Sequence, residues 1–329
     1  MNKRIFYIVT IILLSFIILF FFIKKNEINN TNEEEFKNPI NILFITDNNY
    51  VMPVTTTIRS IIANKNKRTQ IQITIIGVDL SYYSILKLQK IAKKDVKVEL
   101  IDIESTYLKN LSDGKYSNAA VSRADNTKLF LTSIIKDKDK ILYIDGDVII
   151  LKDLSEFYNI NLDDYYIGAV DDWQTKKRYD KNKRYFNNGI MLLNLKAMRK
   201  DNTDDKLFKA KQQDKTPRFV TQDAFNTVME NKVYFMPLIY NTFAPEYDNN
   251  NINMRIKEVL GKNYNPQTYP YKNDEEYRKE VVAIHYCGWY NIKPWWQLDF
   301  SRKTNRIWYK YAPLYFWIDC IQGKCKIPY

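Results

Sequence analysis

An α/β fold built on a mainly parallel sheet is what this chain predicts, and three observations carry that expectation. From Pro39 onward, short apolar runs alternate with segments of helical character. The runs are mostly unbroken, as strands buried on both faces require. Acids stand just beyond two of them, Asp47 after INILFIT and Asp145 after KILYI.

INILFIT is the first predicted strand, and a helical segment follows at about Pro53 to Ala63. IQITIIGV is the second strand, LSYYSILKLQKIAK the second helix and VKVELIDI the third strand. A helix near Ala124 to Ile135 leads into KILYIDGDVII, the fourth. Such alternation argues for a parallel sheet with helices on both faces. Ligands in these sheets sit at the carboxyl ends of the strands, so Asp47 and Asp145 are expected to share one edge.

With 329 residues, 45% hydrophobic and 27% charged, the chain suits one large α/β domain or two smaller ones. A net charge of +12 favours anionic surroundings such as a membrane surface, a nucleotide or another acidic ligand. The basic residues are scattered among acids without a dense arginine stripe, so no nucleic-acid partner is expected. The three cysteines are too few for a disulfide framework. Cys320 and Cys325 can close a small loop in an oxidising compartment or remain thiols, and Cys287 stays single either way.

Ile5 to Ile23 reads IFYIVTIILLSFIILFFFI, nineteen residues without a charge. As a helix it spans roughly the ~30 Å hydrocarbon core of a bilayer. Lys3 and Arg4 precede it, Lys24 and Lys25 follow it, and no small-residue cleavage site is present. Residues 1–25 therefore read as an uncleaved single-pass anchor, with a buried core helix as the alternative. Positive charge at both ends leaves the orientation open between a Golgi-type lumenal enzyme and a bacterial enzyme on the cytoplasmic face. Residues 26–39 are a polar tether and residues 40–300 the α/β domain. The tail, residues 301–329, is aromatic and basic: a packed C-terminal helix, or a membrane-surface or acceptor-binding segment.

In ILYIDGDVII the chain leaves the sheet at Asp145, Gly146 permits a close backbone approach, and Asp147 adds a second carboxylate. Acids this close repel, and a cation beside them compensates. Hard oxygen ligands suit Mg2+ or Mn2+, with a diphosphate completing the shell. The same pattern also suits an aspartyl phosphatase, although three strands precede it here.

Six stretches together resemble glycosyltransferase family 8, the retaining, nucleotide-sugar-dependent enzymes of GT-A fold. They are TDNNY, ILYIDGDVIILKDL, GAVDD, YFNNGIMLLNL, TQDAFN and HYCGWYNIKPW, in that order. The resemblance implies a Rossmann-like, nucleotide-binding GT-A domain. It assigns Asp145, Asp147 and His285 to a metal, Mn2+ in preference to Mg2+ because imidazole accepts it more readily. It places Asp47, Asn49 and Tyr50 at the nucleotide, Gly288 and Lys293 at the diphosphate, and Lys128 and Gly146 among the residues that bind the donor. Gln222, Asp172 and Asn187 match positions around the sugar and acceptor, with Gln222 on the face opposite the leaving diphosphate. Three departures stand out. Lys128 replaces the usual Arg and loses its bidentate fork. TQD replaces DQD, so Thr221 stands where an acid commonly contacts a sugar hydroxyl. Four residues separate Gly288 from Lys293, two more than is common.

The expected protein is a membrane-anchored, metal-dependent hexosyltransferase. It would use a UDP-sugar and a glycan, glycolipid or glycoprotein acceptor. A non-catalytic nucleotide-sugar- or glycan-binding module of the same fold is the alternative, and a DxD phosphatase the third reading.

Overall fold

The computed structural model describes residues 36–108, 123–172, 184–214, 219, 221–249, 269–287 and 293–325. The chain divides after Asn38, and the unit beginning at Pro39 is the one considered below. Ile5 to Ile23 and most of the tether lie outside the described residues. Among the described residues, no helix is long and apolar enough to cross a membrane.

β1 (Ile40–Thr46), β2 (Ile71–Val78) and β3 (Val96–Ile103) run parallel, and β1 also pairs in parallel with β4 (Lys140–Ile144). Beyond β4 lies β7 (Phe186–Asn194), antiparallel to β4 and to β6 (Ile167–Asp171). β8 (Val233–Met236) closes that edge parallel to β6. The order β3-β2-β1-β4-β7-β6-β8 is the mixed, mainly parallel sheet that was expected. Period two explains the unbroken apolar runs. Ile42 and Phe44 of β1, with Leu142 and Ile144 of β4, enter one buried cluster. Leu43, Ile45, Ile141 and Tyr143 enter the cluster on the other face. Full burial of such a side chain stabilises by about 1.5–3 kcal/mol, so polar alternation would forfeit one of the two cores.

The first expected helix runs Val51–Asn64 and the second Tyr82–Gln89. The segment expected as a helix near Ala124 to Ile135 is mostly a 3-10 helix, Arg123–Phe130, followed by a single α-turn at Leu131–Ile134. Asp125, Asn126 and Thr127 in succession are poor α-formers, because short polar side chains compete for the backbone.

The two halves of ILYIDGDVII enter different sheets. β4 ends at Ile144, and β5 (Val148–Ile150) belongs to a three-stranded sheet of order β5-β10-β9. β10 (Ala283–His285) is antiparallel to β5, and β9 (Thr242–Phe243) is parallel to β10. Asp145-Gly146-Asp147 is thus the joint between the sheets. The helix Val51–Asn64 packs against this joint: a Cβ on Gly146 would lie 2.6 Å from Val54 Cγ2. Thr57 Oγ1 donates to the Gly146 carbonyl at 2.8 Å, and Ser60 Oγ accepts from the Ile150 N–H at 2.9 Å.

A bulge aims β7 at the same place. Ala169 pairs with Met191 but Val170 pairs with Asn187, which leaves Asn188, Gly189 and Ile190 without partners on β6. The β4 side still holds them, since Ile190 pairs with Ile144 and the Asp145 N–H donates to the Gly189 carbonyl at 2.7 Å.

The tail contributes two helices, Lys303–Tyr311 and Leu314–Ile321, broken at Pro313. Trp308 is fully buried among Trp295, Tyr309 and Phe316. Arg59 Nε donates to the Tyr311 carbonyl at 2.8 Å, and Asn64 Nδ2 donates to its hydroxyl at 2.9 Å. Cys320 and Cys325 form a disulfide in which Cys287 takes no part.

Candidate active site

Sheet pairing sets His285 beside the acid pair. His285 is opposite Val148 in the β10–β5 ladder, and the next N–H, of Tyr286, donates to the Asp147 carbonyl at 2.8 Å. His285 Nε2 lies 3.2 Å from Asp147 Oδ1 and 3.7 Å from Asp145 Oδ2. The three candidate ligand atoms all fall within 4.8 Å of one another. Gly189 makes room for this. A Cβ there would sit 2.3 Å from His285 Cε1 and 2.6 Å from Asp145 Oδ2.

Two buried lysines flank the acids. Lys128 Nζ reaches Asp145 Oδ1 at 3.0 Å and Asp125 Oδ1 at 2.6 Å. Lys293 Nζ donates to Asp147 Oδ2 at 2.8 Å and also to the Tyr286 carbonyl. These neighbours push the two carboxyls apart. Burial opposes ionisation of Asp147, but Lys293 and His285 outweigh it and hold this acid well below the ordinary range. At Asp145 burial prevails over the pull of Lys128, and repulsion from Asp147 adds to it, so its value is raised. Lys128 is held charged because Asp125 and Asp145 more than offset its burial. Tyr143, two residues before Asp145 and on the same strand face, donates its hydroxyl to Asp145 Oδ1. Burial and then Asp145 keep that hydroxyl protonated.

A chain of amides joins the acids to the expected sugar-side residues. Gln222 Nε2 donates to Asp172 Oδ2 at 3.1 Å, and Gln222 Oε1 accepts from Asn187 Nδ2 at 3.1 Å and from the Asn188 N–H at 3.2 Å. Asn187 Oδ1 accepts from the Gly189 N–H at 3.0 Å and from Asn241 Nδ2 at 2.9 Å. Asn241 Oδ1 then faces His285 Nδ1 at 3.0 Å. The two backbone N–H groups fix which end of each amide is oxygen. An N–H on Nδ1 satisfies Asn241 and leaves Nε2 toward the acids, the tautomer a metal ligand needs.

The structure therefore brings Asp145, Asp147, His285, Lys128 and Lys293 into one cluster and links Asn187, Gln222 and Asp172 to it. Asp47 mainly builds the turn after β1, with its Oδ1 accepting from the N–H groups of Asn49 at 2.9 Å and Tyr50 at 3.1 Å. Asn49 is exposed. Tyr50 lies against Gly146 and packs edge-on to Trp295, with ring centroids 5.9 Å apart. Burial, then the charges of Asp147 and Asp145, hold its hydroxyl well above the usual tyrosine range. What closes on Gly146 is the Val54 side chain, and Gly288 lies outside the described residues. Sequence reasoning did not single out Asn241, Tyr143, Gly189 or Asp125. Of these, only Tyr143 carried a signal, its period-two spacing from Asp145.

Comparison with known proteins adds the family. The family model for glycosyl transferase family 8 matches residues 41–299. The chain is a family 8 glycosyltransferase. It is 23% identical over 270 residues to general stress protein A of Bacillus subtilis (strain 168), covering 78% of this chain and 87% of that protein. Over 287 residues it is 24% identical to lipopolysaccharide 1,2-glucosyltransferase of Escherichia coli (strain K12), covering 83% of this chain and 78% of that one. The crystal structure of the galactosyltransferase LgtC with donor and acceptor sugar analogs matches with a TM-score of 0.69. That match has 20% identity and covers 83% of this glycosyltransferase and 95% of LgtC, so the fold is GT-A.

The residues of this transferase fit the divalent ion that GT-A enzymes typically use. Two carboxylates and an imidazole nitrogen converge, the far side of the imidazole is satisfied by an amide oxygen, and no Cβ intrudes at Gly189. Oxygen donors with one imidazole suit Mn2+ or Mg2+.

Proposed function

We propose that this glycosyltransferase moves a hexose from a UDP-sugar to a glycan, glycolipid or glycoprotein acceptor. In this reading Mn2+ or Mg2+ is held by Asp145, Asp147 and His285. The observation that carries it is the convergence of one ligand atom from each of those residues within 4.8 Å, two from the joint between the sheets and one from β10. The bound ion supplies Lewis-acid stabilisation of the charge that grows on the diphosphate. Lys293 and Lys128, already seated against the two acids, add fixed positive charge at the same end. Tyr50 stacks on the base, with Asp47 and Asn49 at its edge or at the ribose. Gln222, held by Asp172 and Asn187, faces the anomeric carbon from the side opposite the diphosphate. Its amide oxygen stabilises positive charge on the sugar, and transfer proceeds with retention. The relatives named for glucosyl and galactosyl transfer support a hexose donor. The apolar segment Ile5 to Ile23 anchors the enzyme to a membrane, with residues 26–39 as the tether.

Purified enzyme is expected to release UDP from UDP-glucose or UDP-galactose only when Mn2+ or Mg2+ is present, and Asp147→Ala to abolish that release. Undiminished turnover in the variant rejects the mechanism.

A further inference from the structure

Asp125, on the 3-10 helix Arg123–Phe130, bridges the two ends of the site. Its Oδ1 is 2.6 Å from Lys128 Nζ, which continues to Asp145 at 3.0 Å. Its Oδ2 accepts from Thr221 Oγ1 at 2.7 Å, and that hydroxyl accepts from Asn188 Nδ2 at 2.8 Å. Thr221 immediately precedes Gln222. One arm of this carboxylate thus leads to the diphosphate end and the other to the residue facing the anomeric carbon. A sugar attached to that diphosphate has to lie between them.

The members of this chain differ in access. Thr221 is 1% exposed, and its one proton is already committed to Asp125. The Lys128 side chain is 2% exposed, whereas that of Asp125 is 22% exposed. A carboxylate offers about four lone-pair positions, and Lys128 and Thr221 occupy two of them. The remaining capacity belongs to a carboxylate that is still partly exposed, as is that of Asp145 (25%) at the metal end of the chain.

We propose that Asp125 is a specificity-determining residue for the donor, accepting hydrogen bonds from hydroxyls of the hexose carried on UDP. The assignment rests on the UDP-sugar reading above. It also accounts for the threonine in TQD. Asp125 and Thr221 are hydrogen-bonded to each other, so one carboxylate and one hydroxyl occupy the spot. The acid enters from the 3-10 helix, and the hydroxyl from the N-terminus of the helix Gln222–Val228. An acceptor of this kind rejects a sugar that lacks the matching hydroxyl, because the carboxylate is then desolvated without a partner.

The test measures binding of UDP, UDP-glucose and UDP-galactose by the full-length Mn2+-loaded enzyme and its variants. Asp125→Asn keeps the shape and removes the charge. It is expected to weaken the preferred UDP-hexose about 10- to 100-fold while leaving UDP unchanged. The exchange Asp125→Thr with Thr221→Asp returns a carboxylate to the same place, so it is expected to bind the UDP-hexose more tightly than Asp125→Thr alone. Equal losses for UDP and UDP-hexose in Asp125→Asn overturn the assignment, because the residue then acts only by holding Lys128. An exchange variant no better than Asp125→Thr overturns it as well. Wild-type enzyme that binds neither UDP nor a UDP-hexose overturns the donor reading and this proposal together.

Discussion

A single missing methyl at Gly189 keeps the acid pair and the imidazole together. A Cβ there would lie 2.3 Å from His285 Cε1 and 2.6 Å from Asp145 Oδ2, both far inside van der Waals contact. Gly189→Ala is therefore expected to spread the ligand set and lower Mn2+ affinity by at least about tenfold. The overpacking itself costs about 1–3 kcal/mol, which leaves the protein folded. Titration of Mn2+ by electron paramagnetic resonance, with circular dichroism as the folding control, reads both quantities; unchanged Mn2+ affinity would refute the steric argument. Residue type made Asp145 and Asp147 visible in the sequence, as acids after an apolar strand, whereas His285 was visible only through its place in HYCGWYNIKPW, which resembles the family. Asn241 carried no such mark. It lies 44 positions before His285 and matters only because β9 and β10 pair. Thr221 was visible as a departure, but the acid that partners it was not, since Asp125 sits in a segment that reads as an ordinary polar helix start.

Among the elements, the joint between the sheets depends on what holds β5 after Ile150. Asp153 ties that exit to the chain beyond the helix Val51–Asn64, accepting from the N–H groups of Asn66 at 2.6 Å and Ser155 at 2.8 Å and from Thr69 Oγ1 at 2.8 Å. Burial opposes ionisation of Asp153, but the donors from Ser155, Asn66 and Thr69 outweigh it and lower its pKa. A carboxyl lowered on folding adds stability above its unfolded value of about 3.9, and that contribution is lost as pH falls through the folded value. Asp153→Asn is thus expected to cost about 1 kcal/mol at pH 7, after allowance for solvent screening, and the gap from wild type to narrow in acid. Urea unfolding at neutral and acidic pH checks the sign, and a gap that widens in acid would contradict it. The first three strands and both early helices were legible from periodicity alone. The split of ILYIDGDVII between two sheets was not, because nothing local distinguishes a strand that continues from one that changes partners. The β7 bulge was hidden for a similar reason, being defined by register against β6.

For the molecule as a whole, the tail decides how much of the core is closed. Its aromatic, basic composition was compatible with a surface segment, yet Trp308 is fully buried in the cluster that also holds Val54 and Ile58. Trp308→Ala is expected to destabilise by about 3–5 kcal/mol, measured by denaturant unfolding, and a loss under 1 kcal/mol would mean the tail is peripheral. The order of the large sheet was only partly readable. Strand-helix alternation indicated the parallel half, but the antiparallel return of β7 between β4 and β6 follows from long-range pairing. The joint between the sheets has a consequence in time. Asp147 and His285 stand 138 positions apart in sequence (285 − 147), and Lys293 is 146 positions from Asp147. While the polypeptide is still emerging from the ribosome, β5 has no antiparallel neighbour and the two acids face no imidazole. On the proposed reading, a divalent ion would meet its three protein donors only once synthesis has passed β10, so its binding would stabilise only forms in which β5 and β10 have paired.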